Sequence, residues 1–173
     1  TEIDVVEGVL DAQFKDLNDD GILEISGVDE SYSYFLGDDN ASSPRPPVVL
    51  SFDKTRGRFI LNKSLMLKDP LSQGRLKELS LEYKNNARWH EESRPPSELF
   101  RTMLGLIYNG NEGQAWELFD MSWPDGSPVS KEEYRKRIES ELDGGSWKRS
   151  PFYPVVVSWS RGKRWTRGTA TVF

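Results

Sequence analysis

The chain contains no cysteine among its 173 residues. This absence excludes disulfide bonds, zinc–thiolate sites, iron–sulfur clusters and cysteine nucleophiles. It does not exclude export, because periplasmic proteins of this size often need no disulfide. Functions that depend on cysteine are therefore excluded, whereas an exported location is not.

Histidine is nearly absent as well, since His90 is the single one. A Ser/His/Asp triad would need it beside an activated serine, but the chain has no G-x-S-x-G elbow. A zinc site on His90, Glu91 and Glu92 would lack the usual second nitrogen ligand. No phosphate-binding loop or dinucleotide fingerprint occurs. A carboxylate pair for glycoside hydrolysis is defined in space, so Glu91, Glu92 and Glu98 stay candidates, although we expect them to form a solvated surface.

Long apolar runs are also missing. No stretch approaches the roughly 18 residues of a membrane-spanning helix, so we expect no transmembrane segment. No signal-peptide pattern begins at Thr1, and that first residue is not methionine. We therefore expect a processed or trimmed mature form.

Acidic residues are absent beyond Asp143, although the net charge is −5. Residues 1–40 hold twelve Asp or Glu side chains and one basic residue, Lys15. The far end is basic, with Lys148, Arg149, Arg161, Lys163, Arg164 and Arg167. Such asymmetry either pairs the two ends within one fold or gives two faces of opposite sign. We favour pairing of the two ends.

What remains is a sequence of α+β type. Residues 1–66 read as β-rich, with strands at residues 9–14, 48–52 and 58–61 and a hairpin turn between Asp53 and Gly57. Residues 67–145 have helical period, and residues 146–173 read as a C-terminal β-hairpin. The pattern predicts an antiparallel N-terminal part and a C-terminal hairpin around a small helical bundle, in one compact domain.

Four helices are expected in the middle segment. Asp69 and Pro70 suit a helix start, with Leu76, Leu79, Tyr83 and Ala87 along one face. The alternation of Leu79, Leu81 and Tyr83 would equally suit a strand. Ser97 suits the cap of a second helix with the apolar stripe Leu99, Phe100, Met103, Leu104, Ile107 and Tyr108, and Gly110 suits its end. Asn111 with Gln114 resembles a capping box, as does Ser130 with Glu133.

The most informative stretch runs from Asp16 to Glu24. Side-chain oxygens recur at relative positions one, three, five and nine, in Asp16, Asn18, Asp20 and Glu24. Gly21 lies where a calcium loop turns sharply, and the Ile22 carbonyl falls at position seven. Ca²⁺ takes six to eight oxygen ligands at about 2.3–2.6 Å, so this spacing predicts a calcium loop.

The loop departs from an EF-hand, because position twelve is Gly27 and the flanks alternate like strands. Residues 14–25 resemble the calcium-binding β-hairpin loops of FG-GAP and VCBS repeats. The resemblance implies side-chain ligands from Asp16, Asn18, Asp20 and Glu24, and a carbonyl ligand from Ile22. One copy cannot close a propeller.

An empty turn is the alternative interpretation, since Asp, Asn and Gly are also the commonest turn formers. If Ca²⁺ binds, few carboxylates predict weak affinity, about 10⁻⁴–10⁻³ M. Such a site is useful only where Ca²⁺ is near millimolar, so we expect a periplasmic or extracellular location.

Three functions follow as hypotheses. The first is a non-enzymatic exported protein with a structural Ca²⁺ loop and a binding or accessory role toward an unknown protein or glycan. The second is a hydrolase of polysaccharide or peptide using Asp and Glu. The third is a binder of an anionic polymer through a basic hairpin, with Arg161, Lys163, Arg164 and Arg167 as contacts. Alternation in a strand also lets tryptophan face inward and arginine face water, so nucleic acid is not the expected partner.

Overall fold

The computed structural model describes residues 9–34, 36 and 39–144, without the side chains of residues 143 and 144. The strands are β1 (Val9–Lys15), β2 (Glu24–Asp29), β3 (Pro47–Asp53) and β4 (Arg58–Leu61). The helices are α1 (Lys63–Met66), α2 (Gln73–Lys84), α3 (Arg88–Glu91), α4 (Ser97–Tyr108), α5 (Glu112–Ser122) and α6 (Lys131–Gly144). The predicted α+β class is confirmed, whereas the predicted hairpin at residues 146–173 lies outside the described residues.

The strands form one antiparallel sheet in the order β1-β2-β3-β4, so each pairs with its neighbour in sequence. The predicted turn after β3 is confirmed. The Asp53 carboxylate accepts hydrogen bonds from the backbone N–H of Thr55 at 2.8 Å and of Arg56 at 3.2 Å. Such local bonds close a turn without help from the rest of the fold.

Gly27 of β2 lies where the backbone of β1 approaches closely. A Cβ atom there would stand 2.5 Å from Val9 Cγ1 and 2.6 Å from the Leu10 carbonyl oxygen. The backbone carbonyl cannot move aside as a side chain can, so this position requires glycine. The residue at position twelve of the loop pattern therefore has a packing role in the sheet.

The helices supply most of the main core. The predicted stripe of α4 is confirmed, because Leu99, Phe100, Met103, Leu104, Ile107 and Tyr108 are all buried. Leu76, Leu79 and Tyr83 of α2 are buried as predicted. Trp89 of α3 is fully buried and donates its indole N–H to the Tyr83 carbonyl at 2.8 Å. Its ring packs edge-on against that of Trp123, with 4.6 Å between the ring centroids.

The predicted start of the first long helix at Asp69 and Pro70 is wrong. Helix α2 begins at Gln73, and the Ser72 hydroxyl accepts the Arg75 N–H at 3.2 Å as its cap. Leu71 precedes the helix, and Gln114 instead bonds its N–H and its carbonyl, each at 2.8 Å. The helix also ends at Lys84, so Ala87 is not part of its buried face.

The predicted capping box of Asn111 and Gln114 is also wrong. Asn111 precedes α5, but its side chain makes no capping bond and instead donates to the Lys68 carbonyl at 3.0 Å. The Gln114 side chain instead makes hydrogen bonds to the backbone of Leu71, 43 residues away in sequence.

Two other predicted termini are confirmed and one is displaced by a residue. Gly110 has a φ of +87° directly after α4, as a left-handed helix end requires. The Ser130 hydroxyl accepts the Glu133 N–H at 3.2 Å, as the second box predicts. Ser97 is the first helical residue of α4 and not its cap, which is Pro96. No helix in the described part of the chain is long and apolar enough to cross a membrane.

Candidate metal loop and the residues around it

The loop between β1 and β2 folds back over the Asp16 carboxylate. Asp16 Oδ1 accepts the Asp20 N–H at 3.2 Å, and Asp16 Oδ2 accepts the Gly21 N–H at 2.9 Å. Gly21 has a φ of +80°, a backbone conformation that side chains with a Cβ rarely adopt. The turn predicted at Gly21 is therefore present, and it brings positions one, five and six of the pattern together.

Asn18 and Asp20 add further bonds within the loop. The Asn18 amide donates to Asp20 Oδ2 at 2.9 Å, and Asp20 Oδ1 accepts the Ile22 N–H at 2.8 Å. The bond from the Ile22 N–H to Asp20 is of the Asx-turn kind, which stabilises a hairpin loop with or without a metal. Asn18 and Asp20 are exposed to solvent.

Glu24, at position nine, differs from the other members because only 1% of its surface is exposed. Its Oε2 accepts the Leu17 N–H at 2.9 Å, which directs the carboxylate towards the loop. Its Oε1 lies 3.4 Å from the Ser51 hydroxyl, longer than an ordinary O–H···O bond. A carboxylate offers about four acceptor sites. Within the described residues, no cationic side chain pairs with it.

The donor set consists of carboxylate, amide and carbonyl oxygens, which are the ligands that Ca²⁺ prefers. The arrangement is less complete than the spacing predicts. Across residues 9–34, 36 and 39–144, no group of three or more His, Cys, Asp or Glu side chains is placed to hold a metal ion. The chemistry of the donors thus fits Ca²⁺. Backbone bonds set their placement, because Asp16 accepts the Asp20 N–H and Glu24 accepts the Leu17 N–H.

The carboxylates near His90 form a solvated surface, as expected. His90, Glu91, Glu92 and Glu98 are all exposed. Hydrogen bonds from Arg88 and Arg94 lower the pKa of Glu92. A general acid needs the opposite change, so Glu92 is poorly suited to that role.

A buried polar cluster was not foreseen from the sequence. Asp29, at the end of β2, is 0% exposed and accepts the Tyr108 hydroxyl at 2.6 Å. The Tyr108 oxygen also lies 3.3 Å from the Tyr32 hydroxyl. Burial is the main cause that raises the pKa of Tyr32 to about 12, and the Asp29 carboxylate adds to it, while the hydrogen bond with Tyr108 opposes it. The only signal in the sequence was an Asp in a strand beside an apolar residue.

A cleft of about 280 Å³ lies between the sheet and the helices of the described residues. It is lined chiefly by Pro47 and Val49 of β3, Leu65 and Met66 of α1, and Gly105 and Tyr108 of α4. No Asp or Glu lines it, so it offers no acid–base pair for hydrolysis.

The anionic-ligand residues Arg161, Lys163, Arg164 and Arg167 lie outside the described residues. Comparison of the chain with protein-family models, with curated proteins and with solved structures finds no match.

Proposed function

We propose that this chain is a non-enzymatic exported protein whose β1–β2 loop binds Ca²⁺ as a structural ion. Its biological role is then binding or accessory, toward a protein or glycan partner. The observation that carries the proposal is Glu24, a buried carboxylate directed at the loop with no cationic partner among the described side chains. A buried charge is costly unless it is paired, and a cation at the loop would pair it.

The surroundings of the loop support the same proposal. Asp16, Asp19 and Asp20 are acidic and lie within the same turn, while Lys15 is the nearest basic residue in sequence. Like charges within one turn repel one another, and a divalent cation would relieve the repulsion. Asp16, Asn18, Asp20 and Glu24 would supply side-chain oxygens and Ile22 its carbonyl. The ion would fasten the β1–β2 hairpin, since no helix pair flanks the loop for it to open.

The location follows from the expected affinity. A loop with few carboxylates belongs to the weak class, with a Kd of about 10⁻⁴–10⁻³ M. Such a loop fills only where Ca²⁺ is near millimolar, which favours the periplasm or the extracellular space. Fractionation of cells that express the natural gene tests this location.

The decisive experiment is a calorimetric titration of the full chain with CaCl₂, accompanied by thermal melts. At about 5 mM Ca²⁺, a Kd of about 10⁻⁴–10⁻³ M should raise the free energy of unfolding by about 1–2 kcal/mol. Absence of both heat and a melt shift up to several millimolar Ca²⁺ would overturn the proposal.

Two matched variants separate ligand binding from simple loss of charge. Asp20→Asn removes a charge at a ligand position, whereas Asp19→Asn removes the same charge at position four of the pattern. Asp19 has a φ of 58°, a conformation that Asn also tolerates. We expect Asp20→Asn to weaken Ca²⁺ binding by at least about tenfold, and Asp19→Asn to change it only slightly. Equal effects would indicate a diffuse charge attraction and no specific site.

The two other hypotheses gain no comparable support. For a hydrolase, the described cleft lacks carboxylates and Glu92 is held by two arginines. Binding of an anionic polymer stays a prediction from sequence. Retention on heparin that falls steeply with salt, and that Arg161→Ala, Arg164→Ala and Arg167→Ala together abolish, would establish it.

A further inference from the structure

The surroundings of Glu24 extend the loop into the next two strands. Ile25 of β2 pairs with Leu50 of β3 in the antiparallel register, so Glu24 and Ser51 are neighbours on one face. The Ser51 hydroxyl points at Glu24 Oε1 across 27 residues of sequence, at 3.4 Å. One carboxylate oxygen of Glu24 thus contacts the loop, and the other faces Ser51 of β3.

Ser51 is in turn oriented by Asn62, directly after β4. The Asn62 amide donates to Ser51 Oγ at 2.8 Å, which occupies a lone pair and leaves the hydroxyl hydrogen to point at Glu24. Asn62 itself is fixed at both ends. Its backbone N–H donates to the Val49 carbonyl at 2.8 Å, and its Oδ1 caps α1 by accepting the Leu65 N–H at 3.2 Å.

We infer that Ser51 and Asn62 are positioning residues of the cation site, acting through Glu24; the inference rests on the proposed function. Asn62 orients Ser51, whose hydroxyl makes a long hydrogen bond of 3.4 Å to Glu24 Oε1, and the Leu17 N–H holds Glu24 Oε2 at 2.9 Å. A ligand carboxylate held by such partners loses less conformational freedom when an ion binds. Loss of outer partners of this kind typically weakens metal binding by about 10–100-fold.

The test is an NMR titration of the ¹⁵N-labelled full chain with CaCl₂ at constant ionic strength. The Gly21 amide reports on the loop, and the method measures Kd values up to tens of millimolar. We expect Ser51→Ala to raise Kd at least about tenfold, whereas Ser51→Thr keeps the hydroxyl and restores the wild-type Kd. Ser26→Ala is the matched control, a serine on the neighbouring strand with no hydrogen bond to Glu24.

Asn62→Ser provides a second, independent variant. It keeps a capping oxygen for the start of α1 but removes the amide that orients Ser51. We expect a rise in Kd of the same direction as for Ser51→Ala. It also decides the question if Ser51→Ala does not fold.

Unfolding measured in EDTA separates positioning from simple stabilisation. A merely structural role would lower the stability of the metal-free chain and leave Kd unchanged. Wild-type binding with an unchanged Kd in Ser51→Ala and Asn62→Ser would overturn this inference and leave the proposed function standing. No Ca²⁺ binding by the wild-type chain would overturn both.

Discussion

The Tyr108 hydroxyl donates a hydrogen bond of 2.6 Å to Asp29 Oδ2, across 79 residues of sequence. Both side chains are buried, and the bond joins helix α4 to the end of strand β2. The Ser31 N–H also donates to the Asp29 carboxylate, at 2.8 Å. Because Asp29 stands in the interior, its partners determine how much its burial costs.

Tyr108→Phe should therefore destabilise the fold by more than the removal of one small hydroxyl group suggests. The variant keeps the ring and removes one donor to a buried carboxyl, a change that costs about 1–3 kcal/mol. Tyr83→Phe is the control, since the Tyr83 hydroxyl is bonded to the Thr102 hydroxyl at 2.8 Å in a partly buried position. Urea denaturation gives both free energies of unfolding. Equal losses in the two variants would contradict a special role for the Asp29 contact.

The raised pKa of Tyr32 predicts a loss of stability at high pH. Burial raises this pKa from 10.0 to about 12 in the folded chain. Between these values the unfolded chain loses the phenolic proton while the folded chain keeps it. The contribution of Tyr32 is fully present below pH 10 and is lost as the pH rises towards about 12, with a total of at most about 2.7 kcal/mol.

Tyr32→Phe isolates this contribution from the other groups that titrate in the same range. Urea denaturation at a series of pH values should show a shallower decline for Tyr32→Phe than for the wild type. Parallel curves would show that Tyr32 titrates alike in the folded and unfolded chains.

Gly27→Ala should disrupt the pairing of β1 with β2. The new methyl group would stand 2.6 Å from the Leu10 carbonyl oxygen, so the backbone must shift. We expect a destabilisation of about 1–3 kcal/mol, typical of overpacking. At Gly105 of α4 a Cβ meets nothing within 4 Å, so Gly105→Ala should stabilise the chain by up to about 1 kcal/mol. Thermal melts of both variants distinguish lack of space from a general effect of removing glycine.

Glu24→Gln should change stability in opposite directions with and without Ca²⁺. The glutamine amide oxygen can still accept the Leu17 N–H, and the substitution removes a buried charge. The variant should therefore be more stable than the wild type in EDTA, by about 1 kcal/mol. In saturating Ca²⁺ the wild type should be the more stable chain, because the variant loses a charged ligand. Melts of both chains in the two buffers test this crossover. If Glu24→Gln is less stable in both, the carboxylate serves the fold and not a cation.

Local patterns were the part of the fold that could be predicted. The Asp53 turn and the α4 stripe depend on residues close in sequence, and both are confirmed. The prediction for Gln114 failed because a capping box is a local pattern, whereas its actual partner, Leu71, lies 43 residues away. A favourable local arrangement was available, and tertiary contacts replaced it.

The candidate site likewise has local features, which the sequence predicts, and features that depend on tertiary contacts. The spacing of Asp16, Asp20 and Gly21 is local, and the turn it predicts is present. The burial of Glu24 and its link to Ser51 depend on how β2 pairs with β3, which no motif encodes. Sequence reasoning can therefore find the loop but cannot find the residues that orient it.

The order of the strands sets the order in which the chain can fold during synthesis. Among the described residues, every pairing in the sheet joins successive strands, so these ladders can form once residue 61 has emerged from the ribosome. Short-range pairings of this kind form quickly. The bond between Asp29 and Tyr108 can form only after Tyr108, 79 residues later in the chain, has been synthesised. All four strands are thus synthesised before the residue of α4 that bonds to Asp29.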